Sequence, residues 1–402
     1  MNRNKTQFVV SVVLGIFTVV LMGHGLLQAQ DHASGWAYSG VVPYKEGIEN
    51  TLPPSGNSIP VFSGSFVASK NGTKYQAMIV GGSPFAKAST AVNFLIIPLI
   101  VQIGSTTFDP TVDDPCIPGA TITPLAAFQQ SPDLQPVTFD GGSGTGHAAK
   151  MNGVDVGTTT YPDAMRRAEF WSIVKGSNYH TTFKVTTGSP WTITAAEVRQ
   201  LGGGNVLPTG CASLGVLDTN NFQNYIQNTV VPSIPAIQPT TFAFFLMKDV
   251  VTTTSKALNC LNGCEAGYHE GFGPPVQTWA VAEYDSTQNF WFQAGMTDIS
   301  IITHEIGEWM DDPLGLNSTP AWGNIGQVSG CQADWEVGDP LTGTDFPAIS
   351  MSNGVTYDPQ ELAFFSWYYN AQRAPSIGAG GKFSTNGTFS GPSKPCPPGG
   401  TY

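Results

Sequence analysis

Ten residues from Phe94 to Ile103, Phe-Leu-Ile-Ile-Pro-Leu-Ile-Val-Gln-Ile, are apolar almost without interruption. A strand with one wet face alternates polar and apolar side chains, whereas one lacking that alternation is covered on both faces. The run therefore predicts a strand inside a layered domain. Pro98 has no N–H to give a neighbouring strand, so a bulge or an edge position is expected there. A second buried strand is expected at Thr240–Val251, with others at Tyr75–Val80, Thr181–Thr187 and Thr278–Tyr284. Pro162 and Asp163 open a helix over Tyr161–Val174, and Gly176 lies just past its end. Phe222, Tyr225, Ile226 and Val230 recur at helical spacing within Asp218–Val230. Strands and helices in this order read as α+β or α/β in the second half of the chain.

The leader is read separately. Arg3 and Lys5 precede an apolar run from Phe8 to Met22, and Leu27-Gln28-Ala29 offers small-residue cleavage chemistry. This is the pattern of a signal peptide over residues 1–29, with an uncleaved anchor as the alternative reading, and it implies export to an extracellular or periplasmic space. No later stretch is long and apolar enough for stable membrane insertion after cleavage. Residues 30–150 are expected to form a β-rich N-terminal region. Residues 151–402 are expected to form the main domain, with an irregular Gly/Pro-rich tail.

Charged residues make up 11% of the chain, against roughly 25% in ordinary soluble domains. With 41% hydrophobic content a packed core is assured, which excludes wholesale disorder. The formal charge of −12 becomes more negative once Arg3 and Lys5 leave, so no basic surface is offered to nucleic acid. Six cysteines in an exported chain favour disulfides, although spacing does not choose the pairing. Gly141–His147 is glycine-rich but lacks the Lys-Ser/Thr tail of a phosphate loop, and is read as a turn.

The chemistry-bearing stretch is Thr297–Pro313, which contains His304-Glu305-Ile-Gly-Glu308. Residues four apart on a helix share a face, with Cβ atoms about 5–6 Å apart, so His304 and Glu308 can reach one divalent ion. Glu305 is rotated about 100° from His304, where it can serve as proton acceptor for a water. Thr297 and Asp298 are expected to cap the helix and Pro313 to stop it, with Ile301, Ile302, Ile306 and Trp309 buried. Burying His304, Glu305 and Glu308 without a cation would cost several kcal/mol. Glutamate in place of the second histidine of His-Glu-x-x-His makes a harder site, open to zinc and to other divalent cations. His269 and Asp312 are candidate supporting residues or alternative ligands, His269 from a loop and Asp312 eight residues past His304. Asp312 also reads as a turn residue before Pro313.

His304-Glu-Ile-Gly-Glu308…Asp312-Pro, followed by Glu336-Val-Gly-Asp339, resembles a group of exported bacterial proteins of acidobacterial type. Their signature is His-Glu-x-x-Glu-(x)₃-Asp-Pro and then Glu-Ile-Gly-Asp near a cysteine. Cys264…Gly267-Tyr-His269 is similar to their Cys-Gly-Tyr-His element, with two residues inserted here, and distantly to one in plant exordium-like proteins. Ala164–Trp171 and Gln360–Trp367 are familiar from the same group. The resemblance covers roughly residues 160–375 and implies a zincin-like metallopeptidase domain, α+β with a mixed sheet and an active-site helix. It carries no activity with it. By likeness to gluzincins, whose third ligand is a downstream glutamate, Glu336 is the expected partner of His304 and Glu308, with Asp339 as orienter or alternative ligand.

These residues together lead to an expectation of a zinc-dependent hydrolase acting on peptide or protein substrates, with Glu305 catalytic. Two other readings are a secreted binding protein that keeps the zincin frame without turnover, and a glycan-binding β module.

Overall fold

The apolar run lies within strand β1 (Thr90–Ile103), and every residue from Phe94 to Leu99 is buried. The structure is a computed structural model describing residues 58–69, 71–260, 263–272, 276–287, 297–370, 375–394 and 396; the expected leader lies outside them. β1 turns back into β2 (Thr106–Phe108). Two later strands, β3 (Thr181–Thr187) and β4 (Trp191–Ile193), run parallel to β1. A third, β5 (Thr241–Lys248), runs parallel along its other side. β6 (Gly267–Phe272) and β7 (Gln277–Tyr284) form an antiparallel pair, and β7 lies parallel to β5. The result is a mixed seven-stranded sheet with β6 at its edge, and the fold is α+β. β1 belongs to the β-rich N-terminal region, yet it is hydrogen-bonded between β3 and β5, so both parts of the chain share this sheet.

Pro98 is not on an edge strand. The β3 ladder ends at Ile96–Thr187 and the β4 ladder starts at Leu99–Trp191, leaving a gap. The Ile96 carbonyl accepts from Gly188 N at 2.8 Å, and by alternation the Pro98 nitrogen points the same way, into that gap. The missing donor therefore removes no bond. Thr240–Val251 is likewise divided: Asp249 has φ +49°, and Val250–Thr253 leaves the main sheet to pair with Ser213–Asp218. The polar Lys248-Asp249 pair inside the apolar run marks that turn.

The Tyr161–Val174 helix is interrupted at Phe170 (φ −110°), giving α1 (Tyr161–Glu169) and a last turn at Trp171–Val174. Asp218 caps Thr219–Tyr225 by accepting from Asn221 N at 2.9 Å, and a π turn carries the helix on to Val230. α2 (Ser300–Asp311) is buried at every residue. Trp309 lies flat on Phe242 of β5, with ring centres 3.6 Å apart and planes 12° apart, which fixes the helix to one sheet face. Such a stacked pair adds about 1 kcal/mol beyond the area it buries. Thr297 and Asp298 precede α2 without serving as its cap residue, which is Ile299; Asp298, at φ +49°, accepts from Ile299 N and Asp358 N. At the other end, Arg166 of α1 pairs with Asp311 at 2.7 Å and donates to the Met310 carbonyl at 2.5 Å.

The cysteines pair as Cys116–Cys211, Cys260–Cys264 and Cys331–Cys396, leaving none free. Three disulfides suit an oxidising, extracellular environment. Among the described residues no helix is long and apolar enough to cross a membrane.

Candidate metal centre

Helical spacing brings His304 Nε2 to 3.0 Å from Glu308 Oε1, as expected for residues four apart. After α2 the chain makes an antiparallel pair, β8 (Ser318–Ile325) and β9 (Val328–Asp334), and then a short 3₁₀ turn at Asp339–Leu341. That return places Gly338 N and Asp339 N at 3.1 and 3.2 Å from Glu308 Oε1, donating to it. The Asp339 carboxylate lies 3.6 Å from His304 Nε2 and accepts from Gln327 and, at 2.9 Å, from Gln332. The edge strand β6 supplies His269, whose Nδ1 is 3.5 Å from Glu305 Oε2 and 3.8 Å from Glu308 Oε2.

Two groups of donors result, each with one ligand atom per residue and all atoms within 4.8 Å of one another. One is His304, Glu308 and Asp339; the other is His269, Glu308 and Glu336. Asp339 thus stands beside His304 in the place expected for Glu336, while Glu336 joins Glu308 from the side of His269. All six residues, Glu305 included, are 5% exposed or less. The Asp312 carboxylate accepts from Leu316 N and Asn317 N at 2.9 and 2.8 Å, the turn role open to a residue before proline. Its contribution to the centre is through its main chain: the Asp312 carbonyl receives His269 Nε2 at 2.9 Å.

Outer partners orient both imidazoles. His304 Nδ1 sits 3.1 Å from Gln360 Oε1, and the Gln360 amide is oriented by donating Nε2 to the Gly338 carbonyl at 2.7 Å. Each histidine thus gives its outer N–H to an oxygen and turns its inner nitrogen toward carboxylates, the arrangement of a metal-ligating imidazole. Gln360 carries no motif of its own in the sequence; only its place in the Gln360–Trp367 stretch pointed toward it.

Electrostatics follow from the crowding. Burial works against charge on His304, but Glu308, Glu305 and Asp339 together push it up to about 10. Burial pushes Glu305 up to about 7, with His269 pulling the other way. Burial and the charge of Glu308 hold Asp339 well above the carboxylate range. Glu308 is held low despite burial because His304 lies against it. Positive charge is therefore favoured at His304 Nε2, which faces Glu308 and Asp339.

Two glycines let the backbone close on this cluster. A Cβ on Gly338 would lie 2.4 Å from His304 Nδ1, and one on Gly267 would lie 2.6 Å from Glu305 Cγ. Gly338→Ala must push the His304 ring off Gln360. If the cluster binds zinc, affinity measured by competition with a chromophoric chelator is expected to fall about 10–100-fold, the usual effect of losing a ligand's orienting partner. Unchanged affinity would show that the ring is not held for an ion.

No protein-family model matches the chain, and neither a curated protein nor a solved structure matches it.

Proposed function

We propose that this chain is an exported metal-dependent hydrolase of peptide or protein substrates, with a zinc or similar divalent ion held by His304, Glu308 and Asp339 and with Glu305 as general base. The zincin-like reading of its α2 helix and edge strand belongs to the same proposal. One observation carries the hydrolytic part: the Glu305 carboxylate is completely buried beside the donor groups, with His269 Nδ1 3.5 Å from its Oε2. A carboxylate so placed can accept a proton from a water held at those groups. When bound, the ion supplies Lewis acidity that polarises a carbonyl and lowers the pKa of water. Glu305 receives the proton of the attacking water and returns it to the leaving amine. Gln360 and the Asp312 carbonyl keep His304 and His269 in one tautomer while this happens.

Burial of every donor favours a second reading, an exported protein whose ion only stabilises the fold. Elemental analysis of purified protein tests the common part: a stoichiometric divalent metal is expected, lost in His304→Ala. Chelation should lower the melting temperature and abolish casein hydrolysis, with zinc restoring both. Stoichiometric metal without hydrolysis of casein or a peptide library supports the second reading. Absence of metal from freshly prepared protein, with no uptake on adding zinc, defeats both.

A further inference from the structure

We propose that the centre holds two divalent cations bridged by Glu308, one with His304 and Asp339 and the second with His269 and Glu336. This rests on the metal-site reading above and extends it. The two carboxylate oxygens of Glu308 face different histidines: Oε1 is 3.0 Å from His304 Nε2, and Oε2 is 3.8 Å from His269 Nδ1. No donor group contains both histidines, and Glu308 is the residue that the two groups share. A carboxylate that offers one oxygen to each of two sites is a bridging ligand in form.

The histidines support the same conclusion. His304 is anchored outward to Gln360 Oε1 and His269 outward to the Asp312 carbonyl. Each therefore turns its inner nitrogen toward carboxylate oxygens, and on both sides of Glu308 such a nitrogen and carboxylate are held together by a cation, either a proton or a metal ion.

Charge adds an independent argument. Glu305, Glu308, Glu336 and Asp339 place four buried carboxylates together. Arg166, the buried guanidinium at the end of α2, is already engaged by Asp311 at 2.7 Å and Glu169 at 3.8 Å. Two divalent ions match four ionised carboxylates, whereas one leaves two of them to be neutralised by protons. Glu305 is 3.5 Å from His269 Nδ1 and so borders the second position, where it remains available as base.

The test uses the full chain, stripped by chelator and loaded with Mn²⁺ alone or Zn²⁺ alone. Wild type is expected to retain two equivalents after gel filtration, and Mn²⁺ at both positions should give an exchange-coupled electron paramagnetic resonance spectrum. His269→Ala and the near-isosteric Glu336→Gln should each retain one equivalent with the six-line spectrum of an isolated ion. Wild type retaining one equivalent, lost in His304→Ala but untouched by His269→Ala and Glu336→Gln, overturns the second ion and leaves the single-ion hydrolase standing. One equivalent weakened equally by His304→Ala and His269→Ala also overturns it, by showing a single ion shared between the groups. Wild type that takes up no ion removes both readings.

Discussion

Glu305→Gln should lower casein hydrolysis by about 10²–10⁴-fold while ion content stays at the wild-type value, the range expected when a general base is lost. The amide matches the carboxylate in size, and size matters here because a Cβ on Gly267 would already lie 2.7 Å from Glu305 Oε1. Packing is therefore preserved and only proton acceptance is removed. The partner of Glu305, His269 Nδ1, lies 3.5 Å away, beyond the length of an ordinary hydrogen bond, so the substitution breaks no short bond that holds the helix. Hydrolysis at the wild-type rate would remove Glu305 from the reaction. Loss of ion together with activity would make Glu305 a ligand instead. The outcome that supports the hydrolase is loss of rate alone, measured on protein of checked metal content.

Asp133→Asn should flatten the pH dependence of stability between about pH 4 and pH 7. Asp133 is buried, accepts from the Thr303 hydroxyl at 2.8 Å through Oδ2, and has no partner at Oδ1. Burial raises its pKa from 3.8 to about 7, with Thr303 opposing. A carboxyl whose folded pKa exceeds its unfolded value holds extra protons when folded, so its contribution is complete below pH 4 and is lost as pH rises toward 7. A shift of that size corresponds to roughly 4 kcal/mol. Urea unfolding of wild type and variant at pH 4.5 and pH 8 measures it: the difference between the proteins should grow with pH in favour of asparagine. A constant difference would show that Asp133 ionises no differently when folded.

The sequence exposed elements more readily than partners. Thr181–Thr187 and the Gln277–Tyr284 strand announce themselves by composition, and α2 by its apolar residues and terminal proline. The kink at Phe170 was hidden, because it is a tertiary choice within a segment of unbroken propensity, whereas the break at Asp249 was signalled only by the polar Lys248-Asp249 pair. At the centre, His304 and Glu308 were legible because four-residue spacing is a property of the helix itself. The division of Glu336 and Asp339 between two histidines was not, since it depends on how β8 and β9 return the chain to α2. Gln360 was illegible as an orienter for the same reason: it meets His304 from far along the chain.

The parallel order of the sheet sets a timetable for synthesis. β1 leaves the translation machinery with only the three-residue β2 close behind it, while its long neighbours β3 and β5 begin at Thr181 and Thr241. Its apolar residues wait uncovered through that interval, when a strand of another nascent chain could dock against them. Pro98 stands in the middle of this exposed ribbon and withholds one donor from any visitor. The residue that fits a gap in the finished sheet thus also limits how far a stray strand can zip along β1 before its own partners arrive.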